Sequence, residues 1–228
     1  MGTVASSEMV PADPRAVRAR QLAAARPEAR EALLFYAALI EFDGAWDELR
    51  ELVREKGPSM LADAAERLDA TEVKAAVDRY LRGEDREGPG SFFARLLLRR
   101  ERPRARGAPS NLCPRCGETP QAGSLRPEGD GVAFALVCSL CTNEWQFPRG
   151  QCPVCGETDR EKVAWYEAEG LPHVQTQVCE SCRHYLHVIH VGRDPEAVPE
   201  ADEIAAIAMD VWAGEQGYRK VQPNLIGI

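Results

Sequence analysis

The chain has 228 residues, 44% of them hydrophobic, and 28 basic against 36 acidic side chains, a formal charge of −8. This is long enough for one or two domains and apolar enough for a real core, so a disordered protein is excluded, and the acidic balance argues against a phosphate-backbone partner. No apolar run reaches a membrane span, the first residues lack the basic and apolar regions of a secretory signal, and Met1-Gly2 with Ser6 fits the short myristoylation pattern only as a chance match.

Residues 1–13 are small, polar and Pro-containing and read as a mobile N-terminus. Residues 14–107 read as a helical domain and its linker. Arg15 to Ala25 is Ala- and Arg-rich, and Pro27 suits the first turn of a new helix. Phe35, Leu39, Phe42, Trp46, Leu49 and Val53 follow in steps of 4, 3, 4, 3 and 4, one face of a single long helix that Gly44 loosens and Gly57-Pro58 ends. Ser59 is a cap for a short helix through Leu61 and Leu68. Thr71 is a cap for another, with Val73, Ala76, Val77, Tyr80 and Leu81 on one face. After a loop at Gly88-Pro89-Gly90, Ser91 caps a last helix through Phe92, Leu96 and Leu97. Arg99, Arg100, Arg102, Arg104 and Arg106 then line a segment that reads as a solvated linker.

All eight cysteines lie between 113 and 182, each in a Cys-x-x-Cys pair: Cys113/Cys116, Cys138/Cys141, Cys152/Cys155 and Cys179/Cys182. The first and third pairs sit in near-identical strings, Cys113-Pro-Arg-Cys-Gly-Glu-Thr and Cys152-Pro-Val-Cys-Gly-Glu-Thr, and a second pair follows after 21 and 23 residues. Two such loops supply the four thiolates of a tetrahedral site, so the repeat predicts two ribbon sites, at 108–150 and 151–193, each reading knuckle, strand, turn, strand, knuckle, strand. The strands expected are Val132–Val137 and Asn143–Phe147 in the first copy. In the second they are Val163–Glu167, His173–Val178 and His184–Val191. Ligand pairing within each repeat is simplest; pairing across repeats also satisfies the spacing. A disulfide framework fits paired thiols in a reducing cytoplasm poorly.

His173, His184, His187 and His190 cluster near the last knuckle. On a strand their spacing puts His187 opposite His184 and His190, so they do not converge and read as solvent-facing. Residues 194–228 read as one helix over 195–217, with Ile204, Ile207, Ala208, Val211 and Trp212 on its apolar face, and an apolar tail that docks on the ribbons or on a partner. The acidic stretch 202–215 with this tail is a candidate partner face.

Several of these residues together resemble the formate dehydrogenase accessory protein family, FdhE. The four pairs match it in number, order and approximate spacing. Val137-Cys-Ser-Leu-Cys-Thr-Asn-Glu-Trp145 and Val178-Cys-Glu-Ser-Cys-Arg-His-Tyr-Leu186 are similar to its second and fourth knuckles. Outside the cysteines, Ala201-Asp-Glu-Ile-Ala, Met209-Asp, Glu215-Gln-Gly-Tyr218 and Pro223-Asn224 match its ending, while Arg15, Arg18 and Leu22-Ala23 match its opening helix more loosely. The resemblance covers residues 113–228 well, and the helical part looks shorter than the family's. It implies a non-enzymatic cytoplasmic maturation factor that binds the catalytic subunit of a respiratory formate dehydrogenase. It also implies two rubredoxin-like metal sites whose ligands are the eight cysteines.

The expected fold class is α+β: an N-terminal all-α domain, two tandem rubredoxin-like or zinc-ribbon four-cysteine modules and a C-terminal helix. Two ions per chain are expected, Fe or Zn, since four thiolates suit both in geometry. A rubredoxin-like electron-transfer or thiol-redox protein is the alternative. A nucleic-acid-binding ribbon protein ranks lower, because residues 101–194 hold 10 basic and 12 acidic side chains. No phosphate loop, His-carboxylate pair or nucleophile elbow supports an enzyme, membrane insertion is not expected, and a homodimer is left open.

Overall fold

The computed structural model describes residues 12–84, 89–101 and 110–227. The expected mobile N-terminus up to residue 11, the start of the Gly88 loop and the arginine run beyond Arg100 lie outside them.

Helix α1 (Pro14–Ala25) opens on Asp13, whose carboxylate accepts from Arg15 N at 2.9 Å, with Pro14 in the first turn. Pro27 begins a short 3-10 turn leading into α2 (Arg30–Glu41). The long helix expected through Val53 is two helices, because the backbone becomes extended at Phe42 and α3 (Trp46–Lys56) starts afresh after Ala45. Gly44 fits this corner because it has no side chain: a Cβ there would lie 2.1 Å from Glu48 Oε2, the atom that accepts from Ala45 N. The apolar stripe keeps its register across the corner. Phe35, Leu39, Leu49 and Val53 are buried in one core, with Phe42 and Trp46 packed against it.

Helix α4 (Ser59–Arg67) is preceded by Pro58, so Ser59 is its first helical residue rather than its cap. Helix α5 (Ala70–Leu81) is capped by Asp69, not Thr71. Asp69 Oδ1 accepts from Thr71 N and Glu72 N, and Glu72 returns the bond to Asp69 N, a complete capping box. Leu81, expected on the apolar face, is 58% exposed. Helix α6 (Pro89–Glu101) starts before Ser91 and takes Arg99 and Arg100 into its last turn.

The cysteine-bearing half forms one seven-stranded sheet. Its strands are β1 (Pro120–Glu128), β2 (Gly131–Cys138), β3 (Glu144–Gln146), β4 (Val163–Ala168), β5 (Leu171–Cys179), β6 (His184–His190) and β7 (Arg219–Lys220), ordered β3-β2-β1-β6-β5-β4 with β7 on β6. Each repeat supplies an antiparallel meander. The repeats join through a parallel pairing of β1 with β6, from Ala122 opposite His187 to Leu125 opposite His190. The two repeats therefore lie side by side in one continuous sheet.

The expected C-terminal helix breaks at Ala206 into α7 (Pro199–Ala205) and α8 (Ile207–Glu215). Helix α7 lies between α1 and the sheet, so Ala201, Ile204 and Ala205 share one core with Ala16, Leu33, Val174 and Ile189. The tail closes on this core: Leu225 and Ile226 are buried in it. The opposite sheet face holds Leu125, Phe134, Leu136, Leu186 and Val188. No helix among the described residues is long and apolar enough to cross a membrane.

Candidate metal centres

Each repeat gathers its own four cysteines. Cys113, Cys116, Cys138 and Cys141 form one cluster and Cys152, Cys155, Cys179 and Cys182 the other, with the sulfurs of each cluster within 4.8 Å of one another. Pairing is within repeats, the simpler of the two arrangements the spacing allows. The Sγ separations are 3.7 Å for Cys113–Cys141, 3.3 Å for Cys116–Cys138 and 3.6 Å for both Cys152–Cys182 and Cys155–Cys179. All eight thiols are free. Disulfide sulfurs lie about 2.05 Å apart. A tetrahedron with 2.3 Å metal–sulfur bonds has edges of about 3.8 Å, close to the spacings here.

One turn builds all four knuckles. In the first of each pair the glycine after the second cysteine adopts a left-handed conformation, Gly117 at φ 81° and Gly156 at φ 78°. Gly117 N then donates to Cys113 O at 2.8 Å, and Gly156 N to Cys152 O at 3.0 Å. In the second of each pair the same place holds Thr142 (φ 55°) and Arg183 (φ 58°), the only described non-glycine residues with positive φ. Arg183 N likewise donates to Cys179 O at 2.8 Å. Backbone N–H groups turn toward sulfur inside the loops, from Leu140 and Cys141 to Cys138 Sγ and from Val154 to Cys152 Sγ. Such contacts favour thiolate over thiol.

Burial works the other way. It pushes the Cys152 thiol up to about 11 and raises Cys182 as well. In the first cluster Cys116 and Cys138 instead hold Cys141 well below the ordinary thiol value. Four thiols packed together cannot all ionise unless a cation compensates them, and a divalent ion does so directly. Four sulfurs per cluster fill a tetrahedral shell and leave no position open to a substrate.

The two clusters differ in setting. Around the first, Cys113, Cys138 and Cys141 are buried with Tyr80, Ala94, Leu98 and Leu140, so helices α5 and α6 roof it. Arg95 of α6 is 3% exposed and donates to Ser139 O, inside the Cys138–Cys141 loop, and to Asn224 O of the tail. Around the second cluster Cys152 and Cys179 are buried, but Cys155 is exposed and Cys182 half-buried.

The histidines depart from expectation. His187 does face away from His184 and His190, but inward, at 0% exposure, with Nδ1 on Thr176 Oγ1 and Nε2 on Asp210 at 2.9 Å each. His173 is also buried and lies 2.7 Å from Asp202. Solvent-facing was wrong for both, because α7 and α8 cover that sheet face. His173, Asp194 and Asp202 converge like metal ligands, yet Arg18 already occupies them: it donates to Asp194 at 2.5 Å and to both Asp202 oxygens.

A second buried network adjoins this one. Lys220 contacts Glu203 and, at 3.0 Å, Asp210; Tyr185 donates to Asp210 at 2.8 Å and Asn224 to Glu203 at 2.9 Å. Burial opposes the charge on Lys220, but Glu203 and Asp210 outweigh it and hold its pKa above the usual lysine value. Asp202 and Glu203 are therefore interior ion-pair partners, and the acidic stretch proposed as a partner face is half internal. Sequence reasoning missed this role because acidic residues at a helix start ordinarily face water.

Residues 112–149 match the family described as FdhE, central domain, and residues 151–226 the family described as FdhE, C-terminal domain. An FdhE homolog from Aquifex aeolicus is 34% identical over 119 residues, covering 51% of this chain and 42% of that protein. One from Pseudomonas aeruginosa is 35% identical over 120 residues, covering 50% and 39%. The matched segment thus spans about two fifths of these relatives' length. The crystal structure of the FdhE protein from Pseudomonas aeruginosa superposes with a TM-score of 0.63 at 25% identity, over 93% of this chain and 94% of that one. The sequence profile, the doubled four-cysteine sheet and the shared fold agree: the chain belongs to the FdhE family.

Proposed function

We propose that the chain is a cytoplasmic, non-enzymatic accessory factor for the assembly of a formate dehydrogenase. In this reading Cys113, Cys116, Cys138 and Cys141 hold one metal ion and Cys152, Cys155, Cys179 and Cys182 a second. The catalytic subunit of the dehydrogenase is the partner. The observation that carries the reading is the pair of closed four-thiol clusters fixed on one sheet: a closed shell supplies rigidity and charge but no reaction site. Zn2+ in the clusters would hold the knuckles in place, and Fe would add a one-electron couple.

The test is a strain lacking this protein. Formate dehydrogenase activity should be lost, return with the native chain, and stay lost with a Cys138→Ser, Cys179→Ser chain, while the native chain captures the catalytic subunit from extracts. Full activity without the protein would end the proposal.

A second reading is a rubredoxin-like electron carrier, and exposed Cys155 favours it by bringing one sulfur of the second cluster to the surface. It requires two irons per chain with a reversible visible transition; two zincs per chain would exclude it.

A further inference from the structure

Residues 216–226 touch the last knuckle of the second cluster directly and reach the first cluster's knuckle loop through Thr119 and Arg95, and nothing in the metal chemistry of either requires it. At the second cluster Arg219 N donates to Arg183 O at 2.8 Å, and Val221 N to Tyr185 O at 3.0 Å. Arg183, which follows Cys182 directly, donates to Gln216 O and stacks 3.9 Å from the centre of the Tyr218 ring. The Tyr218 hydroxyl donates to Glu180, inside the Cys179–Cys182 loop. A few residues on, the same segment reaches the first cluster. Gln222 accepts from Thr119 Oγ1 at 2.9 Å, and Thr119 O accepts from Ser139 N at 3.2 Å, between the two knuckles. Arg95 then clamps Asn224 O at 3.0 Å and Ser139 O at 3.1 Å.

These contacts fall on parts of the knuckles that exist only when the turns are formed. Arg183 O is presented to β7 by the left-handed turn after Cys182, and Ser139 O to Arg95 by the Cys138–Cys141 loop. A cluster without its ion loses the constraint that holds its turn and so loosens its end of the strap. The strap is short, and Glu203 holds it on both sides of Val221-Gln222, through Lys220 and through Asn224. Release of one end therefore disturbs the other.

We infer that residues 216–226 form a strap that couples the two metal centres, so that filling either cluster tightens metal binding in the other. The coupling is reciprocal, as linkage demands. The inference rests on the reading that both clusters hold metal.

The experiment uses the full chain loaded with Co2+, whose thiolate bands report occupancy. Cys152→Ser with Cys155→Ser empties the second cluster through the knuckle the strap does not touch. Loss of Co2+ from the first cluster to EDTA should then speed up about tenfold or more. Insertion of about eight Gly and Ser residues between Val221 and Gln222 lets each end dock independently. In that chain the same substitutions should change the rate less than twofold.

An unchanged rate in the uninserted chain overturns the inference, as does a speeding that survives insertion, which would route the coupling through the β1–β6 seam. Hydrogen exchange keeps the test decisive if the inserted chain does not fold: emptying the second cluster should deprotect residues 222–226, and unaltered protection there overturns the inference. A chain that takes up no Co2+ refutes the metal reading itself, whereas two bound ions without coupling refute only the strap.

Discussion

The two four-cysteine clusters have the same donors, the same knuckle turns and nearly the same sequence in their first knuckles, yet one is inside the protein and the other leaves a cysteine at its surface. The first is roofed by α5 and α6 and touched by the buried guanidinium of Arg95. The second leaves Cys155 exposed. The knuckle turn is therefore set by the motif, and the environment of the bound charge by what packs over it. A four-thiolate site with a divalent ion carries a net charge of about −2. Among the described residues a buried cation, Arg95, stands beside the first cluster, and a buried charge without a counter-charge is expensive.

The largest expected effect that would break this comparison is on stability. Cys138→Ser should lower the unfolding free energy by more than about 3 kcal/mol and loosen the helices too, because the first cluster is part of their packing. Cys155→Ser should cost about half as much or less and leave the helices intact. Denaturant unfolding followed by circular dichroism measures both, and equal losses would show the roof to be irrelevant. A smaller effect is kinetic. A chromophoric chelator should strip the second cluster at least about tenfold faster than the first, a difference of about 1.4 kcal/mol in barrier. A single release phase for both ions would contradict it.

The knuckle turns sharpen the comparison further. Thr142 holds a left-handed conformation that Gly117 and Gly156 adopt freely, so Thr142→Gly should stabilise the chain by up to about 1 kcal/mol and Gly156→Ala destabilise it by about the same. Thermal melts of the metal-loaded variants decide this, and a loss in Thr142→Gly would show that the Thr142 side chain matters more than its backbone. The smallest effect is at the seam between the repeats. His190 Nε2 donates to Gln175 Oε1 at 2.6 Å, and burial, then Arg193, pushes its pKa down to about 4. The unfolded imidazole titrates near 6.5. The stability from keeping His190 neutral is thus complete above about pH 6.5 and lost as pH falls toward 4. His190→Asn should flatten that part of the stability–pH profile, and parallel profiles would rule out the seam histidine as its source.

The two four-cysteine clusters were legible because covalent spacing and turn chemistry are local, and pairing within repeats followed from adjacency. The apolar stripe from Phe35 to Val53 was legible as a face but not as two helices. The turn at Phe42–Ala45 preserves the stripe's spacing, and only the close approach of Gly44 to Glu48 reveals the corner. The capping box at Asp69 and Glu72 was in plain sight, on either side of the threonine that looked like a cap. Strand β1 was least visible because Pro120, Gly123, Ser124 and Pro127 blur its alternation, yet β1 joins the repeats. The inward histidines were hidden for a different reason: which sheet face is wet depends on α7 and α8, whose packing no local pattern encodes. The ending that carried the family resemblance became intelligible only as tertiary contacts: Asp202 pairs with Arg18 and His173, Glu203, Asp210 and Asn224 gather around Lys220, and Tyr218 reaches Glu180.

Arg18 reaches Asp202 across 184 residues of sequence, and β1 finds β6 only after the whole second repeat has intervened. On a ribosome the first helix and the first ribbon therefore emerge long before the surfaces that complete them. Each knuckle pair, by contrast, closes over separations of 28 and 30 residues and can organise as soon as it is out. Folding should begin at the metal clusters and end when α7 slides between α1 and the sheet, a slow, long-range step. Until then a nascent chain presents an open sheet edge and an unfilled helical groove, and in the metal-bound reading proposed above early metal supply is what shortens that exposure.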